Sequence, residues 1–413
     1  MAPKTSPLAP AEPPALMPVE GVRLAVAASN TRYKDRPDLC LIELTPGTTL
    51  AGVFTRSLCP SAPVDWCKAL LDGKGGAKAR AILVNAGNAN AFTGKAGVTA
   101  VKALAAATAA AVGCKARETF HASTGVIGVA LPHEALAAFL PALAQDLEAG
   151  RWAEAARAIM TTDTYPKGAS ATAAIDGVTV TLSGIAKGSG MIAPDMATML
   201  AFVTTDAALP GPVLQALLAK AADESFNAIT VDGDTSTSDT LLLAATGRAK
   251  HAKIASAGDP KLRDFKRALS QVLTELALLV VKDGEGAEKL VTIDIAGAAS
   301  KAAARRIGLA IANSPLVKTA IAGADANWGR IVMAVGKAGE KADRDRLSVS
   351  IGGVEVAAKG AVVPGYDETP VARHMKGRDI HIAVDVGVGT GKARVWTCDL
   401  THGYIDINAD YRS

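Results

Sequence analysis

The stretch KGSGMIAPDMATML, residues 187–200, is the part of the sequence that says most about the fold. It places Thr198 directly after the small residue Ala197, between two methionines and behind a glycine-rich turn that follows Lys187. A threonine hydroxyl can act as a nucleophile once cleavage before it releases an α-amino group, whose reference pKa of ~7.7–8.0 suits a base near neutral pH. The stretch therefore predicts a self-processing protein built around Thr198.

The predicted cleavage needs no outside protease. The Thr198 hydroxyl can attack the carbonyl carbon of Ala197 and form an ester, which water then hydrolyses. The small side chain of Ala197 leaves room for the tetrahedral intermediate. Because an Ala-Thr pair is common, these residues alone leave open that Thr198 is a strand residue that is hydrogen-bonded in a core.

The composition favours an enzyme that acts on small molecules. The 413 residues can bury a large core, and 44 Lys and Arg against 40 Asp and Glu give a formal charge of +4. This mild, evenly spread charge predicts no binding to nucleic acid or to an anionic membrane. The five cysteines and six histidines have no metal-ligand spacing, so no metal is predicted, and the thiols are interpreted as reduced and cytoplasmic.

The first twenty residues have a composition of their own. Residues 1–20 contain six prolines and lack the apolar core of a signal peptide and the Arg-rich pattern of a transit peptide, so they predict a mobile tail. Further along, Lys102 interrupts the longest alanine-rich stretch before it reaches the ~18–20 apolar residues that a membrane helix needs. No membrane-spanning segment is expected.

Apolar periodicity and turn signals predict an α/β or α+β fold, with layered sheets covered by helices. The strands that we predict in the first part of the chain and around Thr198 fall at 22–29, 39–44 and 201–207, and residues 81–94 and 118–128 are each interpreted as a strand that runs into a loop. The predicted helices fall at 98–112, 132–147, 152–160, 211–225, 260–281 and 303–313. Residues 177–190 are interpreted as strand, turn and strand, and residues 348–358 and 381–396 as hairpins.

One glycine-rich segment resembles a phosphate-binding loop but lacks two of the residues that such a loop requires. Residues 387–393, GVGTGKA, would need Gly in place of Val386 and Ser or Thr in place of Ala393 to form a phosphate-binding loop. The segment is therefore interpreted as a hairpin turn. The sequence also contains no GxSxG motif that would support a Ser-His-Asp triad.

A set of motifs in fixed order resembles the ornithine acetyltransferase family, the bifunctional glutamate N-acetyltransferases of arginine biosynthesis. The motifs lie within residues 21–413 and read NAGNANAFTG, STGVIG, MTTDT, KGSGMIAPDMATML, KDGEGA, ANWGR and NADYRS. The resemblance implies that the precursor is cut between Ala197 and Thr198. Behind the tail, this gives an α chain of residues 21–197 and a β chain of residues 198–413.

The resemblance also implies the reaction. In this family N-acetylornithine acylates the threonine and leaves as ornithine, after which glutamate takes the acetyl group. Some members accept acetyl-CoA as a second donor, and no cofactor is expected. The family precedent for assembly is a heterotetramer of two copies of each fragment.

The family pattern assigns roles to further residues. It implies an oxyanion hole at Thr124 and Gly125, where we expect backbone amides at a strand-to-loop transition. The implied substrate-binding residues, besides Thr198, are Thr161, Lys187, Glu285, Asn408 and Ser413. Thr162 is a near rival of Thr161, and Glu285 stands between glycines that allow a ligand to approach closely.

Two other functions fit parts of the pattern. A self-cleaving amidohydrolase or aminopeptidase would use the same acyl-threonine and resolve it with water. A non-enzymatic ligand-binding α/β protein would hold Thr198 as a core residue and would tolerate Thr198→Val.

Overall fold

The computed structural model describes residues 4–71, 75–193 and 199–409. The chain divides into two compact units. Among the described residues, the large unit comprises 11–71, 75–193, 199–227 and 234–280, and the small unit comprises 4–10, 228–233 and 281–409. The predicted tail and the two predicted fragments divide the chain in a different way from these two units. They stay predictions.

The large unit contains two sheets. Its strands are β1 (Val22–Ala27), β2 (Leu39–Leu44), β3 (Thr49–Phe54), β4 (Ala77–Lys78), β5 (Ala81–Asn88), β6 (Thr119–Val126), β7 (Lys167–Ile175), β8 (Val178–Lys187), β9 (Leu200–Thr205) and β10 (Thr240–Ala245). One sheet has the order β1-β2-β5-β6 and the other β4-β3-β10-β9-β8-β7. The pairs β5–β6 and β9–β10 are parallel, and the other pairs are antiparallel.

The helices of the large unit flank these sheets. They are α1 (Ala62–Leu71), α2 (Gly94–Val112), α3 (His133–Ala137), α4 (Leu140–Gln145), α5 (Trp152–Ala158), α6 (Gly211–Asp223) and α7 (Arg263–Lys282). Helices α2 to α4 pack on the four-stranded sheet, where Leu39 and Leu41 meet Leu104. Helix α6 packs along β3, and Leu276 of α7 lies against Gly184 of β8.

The two sheets face each other across one apolar core. Ile42 and Leu44 of β2 share this core with Leu200 and Phe202 of β9. Because successive side chains of a strand point to opposite faces, the intervening residues of β2 face the helices instead. The large unit is therefore layered as helices, sheet, sheet and helices, which confirms the predicted α/β class.

The small unit has one sheet with helices packed on one face. Its strands are β11 (Leu290–Ala298), β12 (Ser348–Ile351), β13 (Val354–Ala358), β14 (Ala361–Val362), β15 (Asp379–Asp385) and β16 (Gly391–Cys398), in the order β14-β13-β12-β15-β11-β16. Its helices are α8 (Lys301–Ala312), α9 (Pro315–Ala322), α10 (Trp328–Gly336), α11 (Thr369–Met375) and α12 (His402–Ala409). Helices α8 to α11 cover one apolar core with the sheet.

Two strand predictions are wrong, and both errors come from glycine. The turn predicted within 177–190 does not exist, because β8 is continuous and Gly184 serves close packing: a Cβ there would lie 2.7 Å from a methyl group of Val203. The segment 381–396 is not a hairpin, because β15 and β16 flank β11. The connection crosses the end of β11, where the Gly389 N–H donates to the Gly297 carbonyl at 2.6 Å.

Helix α2 bears on the expectation that no segment spans a membrane. By length and composition it could cross a membrane, although Lys102 interrupts its apolar residues as expected. This is weak evidence for a membrane span, because the core helix of a protein in water meets the same criteria. Ala100, Val101 and Leu104 of α2 are buried in the large unit.

The proline-rich segment makes defined contacts. In the large unit the Met17 N–H donates to Ser170 Oγ at 3.1 Å, and the Met17 carbonyl accepts from Ser183 Oγ at 2.6 Å. In the small unit Ser6 Oγ donates to the Lys282 carbonyl at 2.6 Å. The mobility expected of residues 1–20 stays a prediction.

A buried histidine in β6 gives a prediction for acid stability. His121 is 3% exposed, its Nε2 lies 3.2 Å from Thr119 Oγ1, and its ring meets Trp66 edge-on. Burial lowers the pKa of His121 to about 3. In the unfolded chain its pKa is ~6.5, so below this pH the unfolded state binds more protons than the folded state. The stability of the protein therefore decreases as the pH is lowered below ~6.5.

We therefore expect His121 to reduce the free energy of unfolding by up to ~1.4 kcal/mol for each pH unit between about 6.5 and 3. Urea unfolding of the wild type and of His121→Gln at pH 7 and pH 5 measures this difference. The variant carries no titrating ring, so its stability should depend less on pH. Equal pH slopes for the two proteins would contradict the prediction.

Candidate active site

The predicted oxyanion-hole residues lie at the end of β6. Thr124 is 1% exposed, and Gly125 stands opposite Gly87 of β5, where the register of the strand pair then shifts. Gly125 has a φ of +128°, and a Cβ there would lie 2.3 Å from the carbonyl carbon of Gly87. The backbones approach too closely for any side chain at position 125.

Asparagine side chains fix the chain beside these residues. Ser123 Oγ donates to Asn85 Oδ1 at 2.6 Å, and Asn85 Nδ2 donates to the Asn88 carbonyl at 2.9 Å. Asn88 Oδ1 accepts the Asn90 N–H at 2.8 Å. The NAGNAN motif therefore shapes the loop after β5 through side-chain bonds to the backbone.

Gly125→Ala is expected to destabilise the protein by about 2–5 kcal/mol, through backbone strain together with the overlap at Gly87. Gly128→Ala is the matched control. Gly128 also has a positive φ, of +83°, but no described atom lies within 4 Å of a Cβ built there. Strain alone should cost about 1–2 kcal/mol in this control. Urea unfolding compares the two variants, and an equal loss would show that the close approach at Gly87 is unimportant.

Thr161 and Lys187 are brought together by the structure. Lys187 is the last residue of β8 and is 2% exposed, and its Nζ donates to Thr161 Oγ1 at 3.0 Å. The rival residue Thr162 lies 2.5 Å from Ser189 instead, Oγ to Oγ. The hydroxyl that bonds to the lysine is thus that of Thr161.

Asp163 holds the segments that carry this pair. Its Oδ2 accepts the Thr161 N–H at 2.9 Å, and its Oδ1 accepts the Gly188 N–H at 2.6 Å and Lys167 Nζ at 2.6 Å. Burial alone would raise the pKa of Asp163, but the charges of Lys167 and Lys187 outweigh it and hold that pKa well below its usual range. A charged carboxylate therefore orders both chain segments.

The loop of residues 30–37 contacts the chain beside the predicted oxyanion hole and the segment that carries Thr161. Arg36 Nη2 donates to the Met160 carbonyl at 2.5 Å, next to Thr161. In the same loop, Arg32 packs against Gly87, where a Cβ would lie 2.8 Å from the arginine Cβ. This loop links the end of β5 to the Thr161 segment within the large unit.

A buried carboxylate marks the start of β9. Asp239 is 0% exposed, and its Oδ1 accepts the Met199 N–H at 3.0 Å. Burial raises the pKa of Asp239 well above its usual value, against the Met199 hydrogen bond and the Lys187 charge, which lower it. Met199 is the residue that follows the predicted nucleophile in the chain.

In the small unit, Glu285 and Asn408 form a predicted pair that is in contact. Asn408 Nδ2 donates to Glu285 Oε2 at 2.8 Å. The glycine after the glutamate explains the close docking of α12, since a Cβ at Gly286 would lie 2.4 Å from the Tyr404 nitrogen. Thr401 Oγ1 also donates to the Gly286 carbonyl at 2.6 Å.

Three predicted residues lie outside the described part of the chain: Ala197, Thr198 and Ser413. The structure thus tests neither the cleavage site nor the nucleophile. Within 4–71, 75–193 and 199–409, no cluster of three or more His, Cys, Asp or Glu residues could hold a metal ion.

The sequence analysis did not single out Asp163, Lys167 and Asp239. Asp163 lies inside the quoted MTTDT motif, but only the threonines of that motif were given a role. Asp239 lies near the end of a run of Asp, Ser and Thr that is typical of an exposed turn. Nothing in that run indicates burial.

The layered fold, with buried Lys, Asp and Thr side chains meeting at one end of the central strands, defines an α/β protein with an enzyme-like polar centre in its large unit. A family model described as the ArgJ family matches residues 23–413. The arginine biosynthesis bifunctional protein ArgJ of Gluconobacter oxydans is 60% identical over 97% of this chain and 94% of its own length. The protein of the same name from Brucella suis is 55% identical over the full length of both chains.

A solved structure, that of the arginine biosynthesis bifunctional protein ArgJ of Bacillus halodurans, is 38% identical and covers 51% of this chain and 98% of its own, with a TM-score of 0.49. On the family model and the full-length relatives, the chain belongs to the ArgJ family, which is the ornithine acetyltransferase family that the motifs indicate. It is accordingly an enzyme, an acyltransferase of arginine biosynthesis.

Proposed function

We propose that the protein transfers an acetyl group from N-acetylornithine to glutamate through an acetyl ester on Thr198, after it has cut its own Ala197–Thr198 bond. The observation that carries the proposal is the family match over residues 23–413, together with 60% identity to a full-length relative. That relative is named as a bifunctional protein of arginine biosynthesis. A second donor, acetyl-CoA, fits that name.

The first half-reaction forms the acetyl enzyme. The Thr198 hydroxyl attacks the acetyl carbonyl of N-acetylornithine, while the α-amino group of Thr198 accepts the hydroxyl proton. Thr124 and Gly125 stabilise the oxyanion, and the C–N bond breaks as ornithine leaves with the proton. The amine of glutamate then attacks the ester, and the threonine hydroxyl is regenerated. Water is not a reactant in either half.

The remaining assignments concern binding. Lys187, held by Thr161, is assigned to a substrate carboxylate, which suits a buried ammonium group. Glu285 is assigned to a substrate amino group, with Asn408 orienting its carboxylate, and Ser413 to the same substrate. No cofactor or metal is used. The two fragments stay associated as a cytoplasmic heterotetramer with two copies of each.

The purified protein should convert N-acetylornithine and glutamate to ornithine and N-acetylglutamate, with the parallel double-reciprocal lines of a ping-pong mechanism. Acetyl-CoA with glutamate is tested separately. On a denaturing gel the protein should give two fragments of similar mass, and the second should begin Thr-Met-Leu. Acetate release without glutamate would instead favour the amidohydrolase. An unbroken chain with full transfer activity would overturn the self-cleavage.

A further inference from the structure

Asp239 holds the backbone at the residue next to the predicted nucleophile. Two hydrogen bonds fix Met199: its N–H donates to Asp239 Oδ1 at 3.0 Å, and its carbonyl accepts the Thr240 N–H at 3.1 Å. Met199 is itself 1% exposed. Both backbone groups of Met199 are therefore bonded to the start of β10.

Asp239 is in turn fixed by the neighbouring strand. Its own carbonyl accepts the Thr55 N–H at 3.1 Å, directly after β3, so its backbone bonds towards β3 and its side chain towards β9. Side-chain hydrogen bonds from Thr55 and Ser236 lower the pKa of Asp239, against the larger effect of burial, which raises it. Burying an ionisable group costs free energy, so a hydrophobic residue would serve a purely structural purpose better.

The opposite side of β9 carries Lys187. In the antiparallel pair β8–β9, Lys187 stands opposite Leu200, while in the parallel pair β9–β10, Leu200 stands opposite Thr240. The first residues of β9 thus lie between a buried ammonium group and a buried carboxylate. Both groups belong to the large unit and act on the same strand end.

We propose that Asp239 is a positioning residue for acetyl transfer, which fixes Met199 so that the amino and hydroxyl groups of Thr198 keep one orientation. This rests on the proposed function. After cleavage Thr198 is a single residue beyond Met199, and adjacent Cα atoms are only 3.8 Å apart. The hydrogen bond at Met199 is therefore the nearest described restraint on the nucleophile. A misplacement of about 1 Å can reduce a rate ~100-fold.

The test compares Asp239→Leu with Asp239→Asn. Leucine cannot accept the Met199 N–H, whereas the side-chain oxygen of asparagine can. We expect Asp239→Leu to lower kcat about 100-fold per free Thr198 amino terminus, counted by N-terminal sequencing, with little change in KM for N-acetylornithine. Asp239→Asn should keep kcat within ~10-fold of the wild type.

The matched control lies at the other end of the same strand. Asp206 follows β9, and its Oδ1 accepts the Thr181 N–H of β8 at 2.8 Å, so it makes the same kind of bond far along the strand from Met199. Asp206→Leu should leave kcat per free amino terminus unchanged. If Asp239→Leu does not fold, Asp239→Ser replaces it, because its short hydroxyl cannot reach the Met199 nitrogen.

The outcomes separate this role from the function itself. If the wild-type protein does not transfer acetyl groups, both the proposed function and the proposed role of Asp239 are contradicted. If the wild type is active and Asp239→Leu has an unaltered kcat, only the proposed role of Asp239 is contradicted. Equal losses of kcat and of melting temperature in Asp239→Leu and Asp206→Leu would make Asp239 merely structural and also overturn the proposal.

Discussion

Thr198→Ala is expected to remain one full-length polypeptide and to lose acetyl transfer almost completely. The variant has no hydroxyl to attack the Ala197 carbonyl, so the new amino terminus cannot form, and it has no group to carry the acetyl ester. Removing a nucleophile whose partners act as a unit lowers kcat roughly 10⁴- to 10⁶-fold. A denaturing gel and an assay of ornithine release from N-acetylornithine measure both effects.

Thr198→Ser provides the control for this experiment. Serine keeps the hydroxyl and loses only the methyl group, so some cleavage and some transfer should persist. If Thr198→Ala were still cut into two fragments, another group would have to break the Ala197–Thr198 bond. If it stayed whole yet transferred acetyl groups at the wild-type rate, Thr198 would be a core residue.

The layered fold could be predicted because its signals are local. The nearly continuous apolar run of β2 and the long amphipathic pattern of α7 indicate their elements without knowledge of their neighbours. Gly184 misled the prediction because it serves close packing inside a strand. Gly184 lies inside a strand because a side chain would strike Val203, which is a tertiary cause that no window of sequence contains.

The residues of the candidate site that lie in the quoted motifs could be predicted from the sequence. The contacts of Lys187 with Thr161 and of Asn408 with Glu285 join residues that were all named from the sequence. Asp239 was out of reach, because its function depends on the pairing of β9 with β10, forty residues apart in the chain. Single-sequence patterns contain no information on which strands become neighbours.

Lys167 offers a large expected effect on stability. Its Nζ lies 2.6 Å from Asp163 Oδ1, and both side chains are fully buried. Because the pKa of Asp163 is held below its usual range, that carboxylate is charged at pH 7. Lys167→Met would leave the charge buried without its closest cation, and breaking a buried pair in this way typically costs ~3–5 kcal/mol.

We expect the lower part of that range in urea unfolding, since the N–H groups of Thr161 and Gly188 still bond to the Asp163 carboxylate. Adding Asp163→Asn to Lys167→Met should recover part of the loss, because it removes the buried charge, although the amide keeps only one of the two acceptor oxygens. Arg267→Met is the exposed control: its ion pair with Asp264 lies at the surface, where such pairs contribute ~1 kcal/mol or less. Equal losses for Lys167→Met and Arg267→Met would mean that the buried carboxylate does not need its lysine. Acetyl transfer should fall in Lys167→Met as well, because Asp163 orders the segments that carry Thr161 and Lys187.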